Sequence, residues 1–330
     1  MQNLLDPAIL FFVFGIFAGL LKSNLEIPPQ IARFLSLYLL MALGLKGGFA
    51  LAKSGLTAEV SVSLACAIGL AMAVPAIGYA LLRRFLNGFD AAAIAATYGS
   101  VSAVTFITAV QFLDGRNIVY GGHMAAAMAL MESPAIIMAI LFAKLARQHE
   151  GAAARKVETA TPATAHDGSI GGILRESFTD GAQLLLLGAM VVGLVTGDSG
   201  KAAMQPFTGD LFKGMLSFFL LDMGLQAAKN MGQLRGKSPW LLAYALLGPL
   251  VHAGLALALG MMTGMSQGDT ALLMVLAASA SYIAVPAVIR HAIPEANPSI
   301  YFGMSLGLTF PFNILIGIPL YTQIAQRYVT

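Results

Sequence analysis

The chain has 330 residues, 58% of them hydrophobic and 11% charged, with a mean hydropathy of +0.78. A soluble domain carries about 25% charged and roughly 45–50% apolar residues, so this composition lies outside the soluble class. The formal net charge of +3 is small and the basic residues form no nucleic-acid face; the single cysteine, Cys66, leaves no disulfide framework and no cysteine-based metal site.

The opening "MQNLLDPAILFFVFGIFAGL" has no positive charge before its apolar run, a pattern expected of a first membrane span and not of a cleaved leader. Crossing a bilayer takes about 20 mostly apolar residues. That length places spans at roughly 8–22, 30–50, 58–83, 90–112 and 119–146. A second set falls at roughly 181–197, 207–228, 239–263, 270–291 and 300–325. Between the sets, "RQHEGAAARKVETATPATAHDGSIGGILRES" is rich in Ala, Thr, Gly and charge and reads as a flexible linker, with an ordered amphipathic cap as the alternative.

The two sets resemble each other. "LMALGLKGGFALAKSG" from Leu40 aligns with "LLDMGLQAAKNMGQLRG" from Leu220, setting Gly44 on Gly224 at an offset of 180. "DAAAIAATYGSVSAV" from Asp90 matches "DTALLMVLAASASYI" from Asp269 at an offset of 179, with Ser100 on Ser279 and Ser102 on Ser281. "YGGHMAAAMALME" from Tyr120 lines up with "YFGMSLGLTFPFN" from Tyr301 at an offset of 181, with Glu132 opposite Asn313. Five spans per unit make the second unit enter from the opposite side. The expected fold is therefore an all-α polytopic membrane protein: ten transmembrane helices as a 5+5 inverted repeat with two crossed discontinuous helices. The first repeat covers 1–147, a cytoplasmic linker 148–178 and the second, inverted repeat 179–330. With both termini outside, thirteen Lys and Arg side chains face the cytoplasm and five face out, as the positive-inside rule requires of a plasma (inner) membrane protein.

No metalloprotease, nucleophile-elbow, phosphate-loop or kinase motif is present, so no enzyme is expected. His123 and His252 fall within spans, where hydrogen-bonded packing is the expected role. Ionisable residues at membrane depth are costly and mark candidate sites; here they are Lys46, Glu132 and Asp222. Lys46 and Asp222 sit on matched helices and could pair. Glu132, Asn313, Tyr282 and Asp222 are the cation or gating candidates. The matched segments "TYGSVSAVTF" and "ASASYIAVPAV" put small and hydroxyl residues at mid-span, with Gly99 in one and Pro286 in the other. Irregular backbone at membrane depth is tolerated where it is buried or lines a polar cavity. A half-helix N-terminus there suits a small anion, and free carbonyls and hydroxyls suit sodium. The alternative use of such residues is close helix packing.

Together "GLKGGFAL", "YGSVSAVTFITAVQFLD", "MESPAIIMAI", "MGLQAAKNMGQLRG", "GPLVHAGLALALGM" and "RHAIPEANPSIYFGMSLGLTFP" resemble the sodium-dependent bicarbonate transporter superfamily, the SbtA-like proteins. The resemblance implies a core-and-gate symporter, commonly a homotrimer, that carries sodium and bicarbonate inward, with some members inhibited by a cytoplasmic PII-like protein. By matching position it implies substrate binding by Ser100, Ser102 and Thr105 from the first crossed helix and Ser279 and Ser281 from the second; Gly99, at the break of the first segment, is a further substrate-binding candidate. Sodium is the implied coupling ion, with no other cofactor. The chain departs from the family pattern at Tyr282, where an aspartate is expected, and at Val285, where a glycine precedes the proline. A sodium–proton antiporter, a bile-acid-type organic-anion symporter and a non-transporting membrane sensor or scaffold are the other readings.

Overall fold

The computed structural model describes residues 6–55, 57–154, 181–234 and 236–329, and every regular element among them is a helix. In chain order these are α1 (Pro7–Leu20), α2 (Pro29–Ser54), α3 (Ala58–Leu82), α4 (Gly88–Gly99), α5 (Ala103–Asp114) and α6 (Met124–Ala154). There follow α7 (Gly181–Gln205), α8 (Phe212–Met231), α9 (Pro239–Thr263), α10 (Gln267–Ala278), α11 (Ala284–Ala292) and α12 (Pro298–Tyr328). Among the described residues, seven helical stretches are long and apolar enough to cross a membrane. One of them runs over α7 and α8 from Gly181 to Leu234, interrupted at Gly197, whose φ of +53° only glycine adopts readily. The helix α6 reaches Ala154, so residues 148–154 of the expected linker are helical, in keeping with the helix propensity of "EGAAA". The rest of the expected linker, 155–178, lies outside the described residues.

Starts and stops follow local chemistry. Asp6 accepts from Ala8 N at 2.9 Å with Pro7 in the first turn, Asn87 accepts from Asp90 N at 2.8 Å, and Ser266 accepts from Asp269 N at 3.1 Å. Each satisfies an amide that the helix leaves unpaired. In α12, Pro311 and Pro319 supply no N–H to the ladder, and π-helical turns at Gly303–Thr309 and Asn313–Gly317 take up the mismatch.

Two helix pairs cross with the same close contact. A Cβ at Gly224 of α8 would strike Phe12 O, Gly15 Cα and Ile16 N of α1; one at Gly48 of α2 would strike Met190 O, Gly193 Cα and Leu194 N of α7. The reciprocal contacts also agree: Gly15 meets Leu221 O and Gly224 Cα, and Gly193 meets Leu45 O and Gly48 Cα. Residue numbers rise together along both members, so each pair runs parallel. Helices that bring glycine to backbone in this way gain packing that no side chain would permit. The contacts set Gly48, not Gly44, in the place of Gly224. The four-residue slip is one helical turn, which leaves every residue on nearly the same face and so is invisible to an apolar alignment. The caps at Asn87 and Ser266 keep the expected offset of 179 for the interrupted helices.

Burial separates the interior from the rim. Of the most apolar window in Gly88–Asp114, 94% is buried, against 39% in α3, 39% in α9 and 22% in Gly181–Leu234. Exposed Phe11, Phe14 and Phe17 on α1 and Val191, Val192 and Val195 on α7 form the apolar exterior a bilayer requires. The interrupted helices occupy the centre.

Candidate functional site

Both central helices break where the sequence places hydroxyls. The first, α4, stops at Gly99, and Ser100 turns to extended backbone at φ −96° and ψ −177°. Ser102 then starts α5, its Oγ accepting from Thr105 N at 3.2 Å. Gly99 is required by packing: a Cβ there would drive into the Pro75 ring of α3. The second, α10, stops at Ala278, and Ser279 is extended at φ −80° and ψ 167°. Ser281 Oγ accepts from Val285 N at 3.3 Å at the start of α11. Pro286 sits in that first turn, where a missing N–H is tolerated.

The two breaks are bonded to each other. Ser281 N donates to Thr97 O at 2.8 Å, and Ser102 N donates to Ser279 Oγ at 3.0 Å. Ser279 Oγ in turn donates to Leu276 O at 2.8 Å. A hydroxyl chain crosses the same point, from Thr105 Oγ1 to Ser102 Oγ at 2.9 Å and from Ser102 Oγ to Tyr282 Oη at 3.2 Å. Because Tyr282 Oη accepts within this chain, its own O–H proton can be given to a further acceptor. Asn313 Nδ2 caps the Ala278 carbonyl at 2.8 Å, while its Oδ1 accepts from Tyr321 Oη at 3.1 Å. Ser100, Ser102, Thr105, Ser279, Ser281 and Tyr282 are all buried, and Ser100 Oγ has no hydrogen-bond partner. An orphan hydroxyl of this kind is a place for a ligand or a water, since burying it unpaired is costly.

The structure thus gathers Gly99, Ser100, Ser102, Thr105, Ser279, Ser281, Tyr282 and Asn313 around one crossing. The remaining candidates lie on other elements. Glu132 of α6 is hydrogen-bonded to Gln183 of α7. Asp222 accepts from Gln226 Nε2 at 2.6 Å within α8. Lys46 does not pair with Asp222 as the sequence suggested; its Nζ lies 3.1 Å from Asp114 Oδ2 and 4.3 Å from the Phe212 ring centroid. Contact geometry explains this. Lys46 stands two residues before Gly48, and Asp222 two before Gly224, so they hold the same place in two separate helix pairs.

Sequence reasoning overlooked Thr97, whose carbonyl is the partner of the second break. It also overlooked Tyr98, which donates to Thr309 Oγ1 at 2.6 Å while Thr309 donates to Ala245 O at 2.7 Å. The signal for Thr97 and Tyr98 was their position directly before "GSVS". His252 and His123 are both buried, and His252 Nδ1 and His123 Nε2 have no hydrogen-bond partner, so the hydrogen-bonded packing expected of them is incomplete. Among the described residues no group of three or more His, Cys, Asp or Glu could hold a metal ion. The oxygens bonded at the crossing belong to hydroxyls, backbone carbonyls and the Asn313 amide.

Apolar helices around a buried polar crossing define a multi-pass membrane transport protein. The chain belongs to the Na+-dependent bicarbonate transporter superfamily, whose family model matches residues 7–326. No curated protein matches it.

Proposed function

We propose that the protein is a secondary active transporter that takes up bicarbonate, or a similar small monovalent anion, together with sodium by alternating access. The observation that carries this reading is the mutual bonding of two helices interrupted at positions 179 residues apart. The interruption aims two half-helix N-termini, those of α5 and α11, at one buried point, and such ends favour negative charge. The free Ser100 hydroxyl and the Tyr282 O–H supply further donors to an anion. Sodium is served by hydroxyl and carbonyl oxygens, which suit a hard monovalent cation. Neither interrupted segment carries a carboxylate, which counts against proton antiport.

The matched glycine contacts and matched caps support a ten-span 5+5 inverted repeat, with rocking of one bundle against the other about the fixed crossing. The charge asymmetry supports an orientation with both termini outside and the 148–178 segment in the cytoplasm. Uptake of labelled bicarbonate by proteoliposomes, with and without an inward sodium gradient, tests the proposal. Stimulation by the gradient is expected; equal uptake in both conditions ends the symport reading.

A further inference from the structure

A cavity of about 540 Å³ lies between α2, α5 and the turn that leads into α6, lined by Lys46, Ala50, Phe106, Asp114, Ile118 and Tyr120 among others. Among the described residues that line it, the charged groups are Lys46 and Asp114. Phe106 stands one helical turn beyond Ser102 on the same face of α5, so the cavity ends next to the crossing. The Lys46–Asp114 pair is partly solvated, with 26% and 36% of the two side chains exposed. A pair of that kind is weakly held and exchanges partners readily. Asp114 has a second partner, accepting from Tyr120 Oη at 2.8 Å through its other oxygen, so it stays hydrogen-bonded if Lys46 turns away. Phe212 covers one side of the ammonium and keeps it beside the cavity.

We propose that this cavity is the entry vestibule of the transporter and that Lys46 is its first anion-binding group, releasing Asp114 to take up the incoming small oxyanion before it passes Phe106 to the crossing. The proposal rests on the transport reading. The opposite half supports it by contrast: the position matching Lys46 is Asp222, which would repel the same anion. Capture therefore occurs at the Lys46 end.

Thiol labelling in proteoliposomes tests the vestibule without relying on transport. In a Cys66→Ser background, which removes the only native thiol, Ala50→Cys and Ile118→Cys each place a reporter in the cavity. An anionic thiosulfonate reagent should modify both faster than a cationic one. Lys46→Gln should reduce that preference about tenfold, as expected for the loss of one focusing charge. Bicarbonate should slow labelling, and Lys46→Gln should raise the uptake KM severalfold with little change in the maximal rate. Protection by another monovalent oxyanion but not bicarbonate would keep the vestibule and reject bicarbonate as substrate. Labelling blind to reagent charge in both reporters, no labelling from either side, or protection by no anion would overturn the vestibule.

Discussion

The two broken helices are built from similar residues yet close their breaks differently. The first loses three residues of helix, Ser100 to Ser102, and restarts with a side-chain cap from Ser102. The second loses five, Ser279 to Ile283, and its restart residue Ile283 makes no side-chain cap bond. The carbonyls left free are also handled differently: Thr97 O takes a backbone N–H from the opposite break, whereas Ala278 O takes the Asn313 side chain. Even the residues before the breaks differ, with Gly99 forced by the Pro75 ring and Ala278 standing 179 positions later. The first break is a short corner held by its own serine. The second is a longer loop held by its surroundings, and it contributes Tyr282 to the hydroxyl chain. Equivalent sequence positions therefore do not have equivalent mechanical roles.

That comparison makes Asn313 the most sensitive residue of the crossing. Asn313→Ala would strand the Ala278 carbonyl and the Tyr321 hydroxyl, both in the interior, at about 1–3 kcal/mol for each group left unpaired. The thermal midpoint of purified protein should fall clearly and uptake should collapse with it. An unchanged midpoint would mean that the second break is held from within after all. The next effect is smaller and asymmetric. Ser102→Ala removes the α5 cap and the centre of the hydroxyl chain, costing about 0.5–2 kcal/mol as cap losses do. Ser281→Ala removes only a 3.3 Å contact to Val285 N and should cost less. Unfolding and bicarbonate uptake measured on both variants separate the two, and equal losses would erase the distinction drawn between the breaks.

Much of this was legible in the sequence because membrane helices announce themselves by length and apolarity. The interruptions were legible too, since serine pairs, a glycine and a proline at mid-span have few other uses. The match of α2 with α8 was readable only to within one turn, and their packing partners α7 and α1 were not readable at all. Glycines in "GLKGG" recur at helical spacing, so Gly44 and Gly48 present alternative registers of the same face. Partners across the crossing were out of reach. Thr97 acts through its carbonyl, which every residue possesses, and Lys46 meets Asp114 from 68 positions away in the chain. Tyr282 was conspicuous as a departure from the family pattern, but its bond to Ser102 depends on three-dimensional placement.

The loops that follow the two breaks extend the comparison to the protein's ends. At the last residue of α5, Asp114 is paired with Lys46; after α11, Glu295 is paired with Arg147 of α6, Nε to Oε1 and Nη2 to Oε2 each at 3.1 Å. Partial burial pushes the Glu295 carboxyl up, but the Arg147 hydrogen bonds and charge outweigh it and hold the group below its ordinary value. A carboxyl depressed on folding stabilises the folded state above its unfolded pKa and loses that contribution as pH falls through its folded pKa. Glu295 should therefore help at neutral pH and cease to help below the ordinary glutamate range of about 4.3. The side chains are 45% and 39% exposed, so solvent screening limits the contribution to about 0–1 kcal/mol. Wild type should unfold slightly later than Glu295→Gln at pH 7, and the two midpoints should converge on acidification or in high salt. A gap that persists in acid would assign Glu295 a packing role, and the second loop would then be held by shape and not by charge.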